Sequence, residues 1–323
     1  MKAMLLAAGT GSRFQPHTLQ KPKPALPLLN VPLGYYSFDF LKQAGVRELV
    51  VNTFHLPGEI RALYSSQSHF PVKFTEETPH ILGGGGGLWN ARQHFKNETD
   101  LFLLNADEVI GTPDLSLFTK LKEFHRKSGA LSTLLVSEHP DVGTKFGGVW
   151  VDSKEQVLGL GKQKPAGAAK GYHFLGVQIL SGEVFKLIPE NVESNILYDV
   201  LLKAIQQGSE VRILKTECQW FETGNLQDYL HATGQILKLL QDDSDHIRSL
   251  LKILHHFAPG SSFSAHSGGL CWKDSSSQIE NLVVQDFAVI GRHCKVQKSS
   301  LKASVLADKS SVESEKLDHE LRL

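Results

Sequence analysis

The chain is poor in cysteine. Cys218, Cys271 and Cys294 are an odd number at wide spacings, with no C-x-x-C among 323 residues. That usage excludes a disulfide framework and predicts a reduced, cytoplasmic protein. An excess of either charge is also missing: Lys plus Arg and Asp plus Glu number 34 each. No global field therefore favours nucleic acid or a membrane surface, and any attraction for a polyanion must be local. No apolar run reaches the length of a membrane span. The N-terminal stretch carries Lys2 but neither the long apolar segment nor the cleavage site expected of a signal peptide. Fifteen histidines include no H-E-x-x-H pair, and no Ser-His-Asp or Cys-His arrangement offers a protein nucleophile.

What is present begins at the first residues. Lys2 to Ala8 is an apolar run of strand length that breaks at Gly9-Thr10-Gly11. A strand running into a glycine turn leaves backbone N–H groups pointing outward, where small glycines let phosphate oxygens approach. Arg13 and Lys23 add a planar fork and a point charge, and Pro16, Pro22, Pro24 and Pro27 stiffen the segment. Phe14 stands where the dinucleotide fingerprint needs its third glycine, and no Gly-Lys-Ser/Thr follows at P-loop spacing. The longer order Gly9-x-Gly11-x-Arg13-x-x-Pro16-x-Thr18-x-x-x-Pro22-Lys23-Pro24 resembles the signature of the sugar-1-phosphate nucleotidyltransferases.

Apolar strands alternate with helical spacings along residues 1–241, which predicts an α/β fold. The expected domain is Rossmann-like and three-layered, with a mixed, mainly parallel sheet. Its ligand lies at the carboxyl ends of the strands, where the Gly9–Gly11 turn falls. An acidic break at residues 241–245 opens a helical linker over 242–270. Beyond it Val284, Ile290 and Val296 recur every six residues, with Ala288, Cys294 and Ser300 four places after each, and Leu306 and Val312 resume the spacing. This rhythm predicts a short left-handed parallel β-helix over 271–323, needing cover from neighbours or a partner subunit. The charged stretch 310–323 also fits a disordered tail.

Further motifs extend the resemblance over about residues 2–237. Gly83–Gly87 lie between Leu82 and Leu88-Trp89. They read as a linker, or as glycines that let backbone approach a flat ligand or open a helix; in the family, this segment faces nucleobase and ribose. Leu6, Ala8, Gly9, Thr10, Gly11, Glu76, Gly83 and Gly85 are thereby assigned to the nucleotide, with Glu76 and Glu77 placed to accept from a base edge. Asp107 follows the buried run Leu101–Leu104 and matches the family's metal-ligating Asp, although an Asx turn explains many such residues. Gly147, Gln163, Lys164 and Gly176 align with sugar-phosphate positions. Phe146 replaces a Tyr there, Gln163 a Glu, and Gly84 a common Thr. Glu222, in Trp220-Phe221-Glu222-Thr223-Gly224, replaces the second metal-binding Asp.

The resemblance implies transfer of a nucleotidyl group from an NTP to a sugar 1-phosphate, giving NDP-sugar and pyrophosphate. Arg13, Lys23 and Asp107 carry the reaction, and Mg²⁺ (or Mn²⁺) sits on Asp107 and Glu222. The implied partners are NTP and sugar 1-phosphate, with neither nucleic acid nor membrane, and a homo-oligomer forms through the C-terminal coil. GTP with mannose 1-phosphate is one assignment, UTP with N-acetylmuramate 1-phosphate another. The substitutions at Gly84, Gln163 and Glu222 also fit a weakened nucleotide-sugar sensor. The reading requires Arg13 and Lys23 to face Asp107 and Glu222.

Overall fold

The computed structural model describes residues 1–266 and 268–323. The chain folds as two compact units that interleave in sequence. One comprises Met1–Thr10, Phe40–Ala106 and Leu115–Cys218; the other Gly11–Asp39, Asp107–Asp114 and Gln219–Leu323. This partition cuts across a linear division at residue 241.

The first unit is built on a nine-stranded sheet. Its strands are β1 (Lys2–Leu6), β2 (Leu49–Thr53), β3 (Val72–Glu76), β4 (Asp100–Asn105), β5 (Ser132–Ser137), β6 (Gly148–Val151), β7 (Val157–Gly161), β8 (Lys170–Ser181) and β9 (Val211–Lys215). The order is β7-β6-β8-β4-β1-β2-β3, with β5 pairing both β8 and β9. Pairs β1–β2, β1–β4, β2–β3 and β5–β9 are parallel, whereas β8 runs antiparallel to β4, β5 and β6. The sheet is thus mixed, as expected of the Rossmann-like domain. Helices are α1 (Phe38–Gln43), α2 (Pro57–Ser65), α3 (Gly83–Asn90), α4 (Leu117–Ser128) and α5 (Leu202–Gln206); α1 carries the chain into this unit at Phe40.

Alternation within β4 makes the layers. Leu101 and Leu103 join Met4, Val50 and Leu88 in one buried cluster. Phe102, on the opposite face, stacks on Phe118 of α4, which stacks in turn on Phe40. Side chains of successive strand residues point to opposite faces, so an uninterrupted apolar run marks a strand covered on both sides. The loops leaving β1 and β4 meet at one edge, where the Ala106 N–H donates to the Leu6 carbonyl at 3.2 Å.

In the second unit the short strands Val109–Gly111 and Gln219–Phe221 form an antiparallel ribbon. Helices α6 (Leu226–Gln241) and α7 (Arg248–Phe257) follow. Phe14 is a core residue here, edge-on to Tyr229 of α6. Ser261–His266 then pairs antiparallel with Gly269–Asp274, and the rest of the chain winds as a parallel solenoid. Ile279, Val296 and Val312 stack on one face, and Val284, Leu301 and Leu317 on another. Corners fall at Asn281, Lys298 and Ser314 and at Asp286, Ala303 and His319, all with positive φ.

Two expectations are corrected here. The six-residue rhythm does not hold throughout: it slips to five at Leu301, Leu306 and Leu317, and Ser299 and Ser304, rather than Ser300, are the buried serines. The stretch from Ser310 is an ordered last coil, with strands Ser311–Glu313, Lys316–Asp318 and Leu321–Arg322, because Val312, Leu317 and Leu321 reach the core. Among the described residues, no helix is long and apolar enough to cross a membrane.

Candidate active site

The nucleotide-loop residues divide at Thr10, and each unit holds its own part. In the first unit the Ala7 N–H donates to Asn52 Oδ1 at 2.7 Å, at the carboxyl end of β2. Ala8 is buried, while Gly9 and Thr10 are exposed, and a Cβ at Gly9 would meet nothing within 4 Å. In the second unit Gly11 adopts φ +61°, and a Cβ there would lie 2.7 Å from Thr18 Cγ2. The Thr18 hydroxyl donates to the Gly11 carbonyl at 2.8 Å. Thr18 is fully buried, so this bond fixes the turn from beneath. The short 3-10 turn Lys23–Ala25 follows an extended Pro22 and contains Pro24, which limits the backbone freedom of Lys23.

The two acids also belong to the second unit. The ribbon pairs Val109 with Phe221, so the residues just beyond its end, Asp107 and Thr223, come alongside. The Thr223 hydroxyl donates to the Asp107 carbonyl at 3.3 Å, and Trp220 Nε1 donates to Glu108 Oε2 at 2.8 Å. Lys23 Nζ pairs with Asp107 Oδ2. Glu222 Oε1 accepts from the Gly224 N–H at 2.7 Å. A Cβ at Gly224 would collide with that oxygen and lie 3.0 and 3.1 Å from Arg13 Nη2 and Nη1. Arg13, Lys23, Asp107 and the Glu222–Gly224 loop are therefore neighbours in one body. Lys23 engages Asp107 through Oδ2 and the Gly224 amide engages Glu222 through Oε1, so each carboxylate retains a second hard oxygen. Two such donors suit a small divalent ion that keeps several waters. Among the described residues no group of three or more His, Cys, Asp or Glu is placed to hold a metal ion.

In the first unit the five glycines open α3 rather than forming a linker. A Cβ at Gly83 would lie 2.7 Å from the Ser194 carbonyl, one at Gly85 2.6 Å from Ser194 Oγ, and one at Gly87 2.6 Å from Glu77 Oε1. The helix thus lies against the Ser194 backbone at Gly83 and against side-chain oxygens at Gly85 and Gly87. Glu76 is exposed and pairs with Arg61 at 2.9 Å. Glu77 is buried: it accepts from Asn52 Nδ2 and from the Leu82 N–H, each at 2.6 Å. Burial raises its pKa, with the two hydrogen bonds opposing. The sequence puts Glu77 at the base edge and marks Asn52 only as a polar residue ending the apolar run of β2.

The residues expected at the sugar phosphate lie in this unit too. A Cβ at Gly147 would come 3.5 Å from Gly161 Cα and 2.9 Å from the Tyr198 hydroxyl. Gln163 and Lys164 follow Gly161 on an exposed loop, where Lys164 Nζ donates to the Ala169 carbonyl at 3.3 Å. Gly176, φ +70°, sits where β8 shifts register against β5. Phe146 turns its ring against His139 and His173. The cysteines take no part: burial pushes the Cys218 and Cys271 thiols up to about 11 and raises Cys294, so all three stay protonated at neutral pH.

A family model described as nucleotidyl transferase matches residues 2–238. The chain belongs to the nucleotidyl transferase family. A family relative from Synechocystis, UTP–glucose-1-phosphate uridylyltransferase, is 28% identical over 250 residues, covering 73% of this chain and 63% of that protein. The chain thus spans less than two thirds of that relative's length. Mannose-1-phosphate guanyltransferase of Schizosaccharomyces pombe is 27% identical over 304 residues, covering 91% of this chain and 74% of that protein. Among solved structures, UDP-glucose pyrophosphorylase complexed with UDP-glucose aligns with a TM-score of 0.62 at 18% identity, over 74% of this chain and 99% of that one. A UDP-glucose pyrophosphorylase from Acinetobacter baumannii gives 0.62 at 20% identity, over 79% and 99%. These structures share the family's α/β fold.

Proposed function

We propose that the chain joins an NTP to a sugar 1-phosphate and releases pyrophosphate. The observation that carries this reading is two cations beside two acids: Lys23 pairs with Asp107, and Arg13 lies against Gly224 in the loop of Glu222. A sugar phosphate oxygen attacks the α-phosphorus as the bond to pyrophosphate breaks, the leaving group taking the electron pair. No protein nucleophile is needed, so the residues act by holding two anions together and offsetting charge. Arg13 and the amides of Gly9–Gly11 bind the triphosphate, and Lys23 lies at the reacting phosphates. Leu6, Ala8, Glu76, Gly83 and Gly85 bound the nucleoside. Lys164 holds the sugar phosphate, and Gln163, Gly147 and Gly176 face the sugar. Asp107 and Glu222 would hold Mg²⁺ or Mn²⁺, which when bound neutralises phosphate charge.

GTP with mannose 1-phosphate is the favoured pair, supported by the guanyltransferase alignment reaching 91% of the chain. The uridylyltransferase relative supports UTP with glucose 1-phosphate as the second. The N-acetylmuramate and sensor readings draw no support from these relatives. The solenoid is read as a left-handed β-helix, from its six-residue spacing, and as the surface for a homo-oligomer. The test is pyrophosphate release across an NTP-by-sugar-phosphate matrix, with Mg²⁺ or Mn²⁺ and then with chelator. Turnover is expected for the favoured pair, abolished by chelator and lowered on the order of 100- to 1,000-fold by Lys23→Ala. Nucleotide binding without pyrophosphate from any pair would leave the sensor reading standing instead.

A further inference from the structure

Tyr198 lies in a stretch with unusual backbone. Ile196–Leu201 is a π-helix capped by Asn195, whose Oδ1 accepts from the Leu197 and Tyr198 N–H groups at 2.9 and 3.2 Å. Such turns displace one side chain from the helical path and are frequent at functional sites. The Tyr198 ring is 44% exposed in an otherwise apolar neighbourhood, where Ile196, Val200 and Leu201 are buried. It reaches over a floor made by two glycines. A Cβ at Gly147 would come 2.9 Å from the Tyr198 hydroxyl, and one at Gly161 would come 3.9 Å from Tyr198 Cε1. That floor is rigid: Trp150 Nε1 donates to the Gly161 carbonyl at 2.8 Å, and Gly161 holds φ +125°. Phe146, next to Gly147, presents no hydroxyl and is turned against two histidines. The phenol at 198 is therefore the polar group hanging over the glycine pair, two residues before Gln163.

We infer that Tyr198 is a substrate-contacting, specificity-determining residue, its hydroxyl hydrogen-bonding a sugar hydroxyl of the hexose 1-phosphate. This rests on the function proposed above and adds the group that reads the sugar. A phenol suits the task, because its ring covers the apolar face of a pyranose while the O–H donates and accepts. The glycine floor leaves room for the sugar, and no side chain at 147 or 161 competes for the hydroxyl.

The test is steady-state kinetics on the full chain, using GTP with mannose 1-phosphate and UTP with glucose 1-phosphate. Tyr198→Phe is expected to raise KM for the sugar phosphate about tenfold or more, with KM for the NTP unchanged. Gly147→Ala, which forces the hydroxyl aside, should shift the same parameter. An unchanged sugar-phosphate KM in Tyr198→Phe, or an equal rise in the NTP KM, overturns the inference. Should the wild-type chain turn over neither pair, the function proposal fails separately, and ³¹P NMR titration with mannose 1-phosphate and glucose 1-phosphate decides this one. Weaker binding by Tyr198→Phe sustains it; equal binding, or none by the wild type, ends it.

Discussion

The extra methylene of Glu222 is taken up inside its own loop, where Oε1 accepts from the Gly224 N–H. That closure needs a glycine at 224, since a Cβ would strike Glu222 Oε1 and press on Arg13. Gly224→Ala should therefore leave the fold intact and lower kcat/KM on the order of 100-fold, the scale of a small displacement of reacting groups; a thermal melt beside a pyrophosphate assay separates the two effects. Arg13, Lys23, Asp107 and Glu222 were legible in the sequence because an ordered motif marks each. The partner that seats Asp107 was not, because Thr223 reaches it across 116 residues, and Glu77 is likewise held by Asn52, 25 residues away. His173 was equally silent. Burial, with His139 adding repulsion, pushes it down to about 4 from an ordinary 6.5. The folded state thus holds it neutral while the unfolded chain takes a proton, so its contribution is complete above pH 6.5 and is lost as pH falls toward 4. The loss is at most about 3 kcal/mol. Urea midpoints at pH 7 and pH 4.5 should converge in His173→Phe relative to the wild type; an unchanged pH slope would remove His173 as the cause.

Five consecutive glycines in α3 go against helix propensity, at about 1 kcal/mol each relative to alanine. The element accepts that cost because its first turns lie against backbone: a Cβ at Gly86 would collide with the Val192 carbonyl oxygen and lie 3.0 Å from Leu82 Cβ. Gly84 differs, since its Cβ would press only on Leu6 Cδ1, at 3.3 Å, and meet Ile196 Cγ2 and N at ordinary contact, 3.5 and 3.9 Å. Gly86→Ala is accordingly expected to destabilise by roughly 1–3 kcal/mol, and Gly84→Ala to stay within about 1 kcal/mol of the wild type, both read from denaturant midpoints. Equal effects would mean that propensity, not packing, sets the glycine run. The apolar flanks Leu82 and Leu88-Trp89 made an opened helix one reading of the sequence, but the packing partner, residues 192–196, has no local signature. The solenoid was legible for the same kind of reason and to the same limit. Val284, Ile290 and Val296 declare a six-residue rhythm, whereas the slip to Leu301 depends on corners at Lys298 and Ala303, which carry φ 48° and 45° on residues that do not favour it.

At the level of the molecule, chain order and folding unit part company. The second unit joins Gly11–Asp39 to everything beyond Gln219, and the bonds that join them are specific. Leu29 and Asn30 form a two-residue hairpin turn with φ 48° and 66°, the paired positive values of a type I′ turn, for which leucine is a poor choice. The turn is held from the C-terminal side: Trp272 Nε1 donates to the Leu29 carbonyl, and Asn30 Nδ2 donates to the Ile290 carbonyl and to Ser261 Oγ, each at 3.0 Å. His17 contacts the Leu321 carbonyl at 2.9 Å. Nothing near Leu29 in sequence announces these partners, which lie more than 200 residues away, so a boundary at residue 241 was the natural reading. The structure makes a different prediction from that boundary. A fragment ending at Gln241 would leave the fully buried Leu28, Leu29 and Val31 without Trp272 and the strands that cover them, and several buried hydrogen bonds without acceptors or donors, each worth about 1–3 kcal/mol. Lys23 is carried on that same segment, four residues before Pro27. Fragment 1–241 should therefore melt well below the full chain, bind a dye for exposed apolar surface, and release no pyrophosphate, even though it contains every residue assigned to the reaction. A fragment that folds cooperatively and retains the full chain's turnover would show instead that the solenoid is an appendage and the linear boundary the physical one.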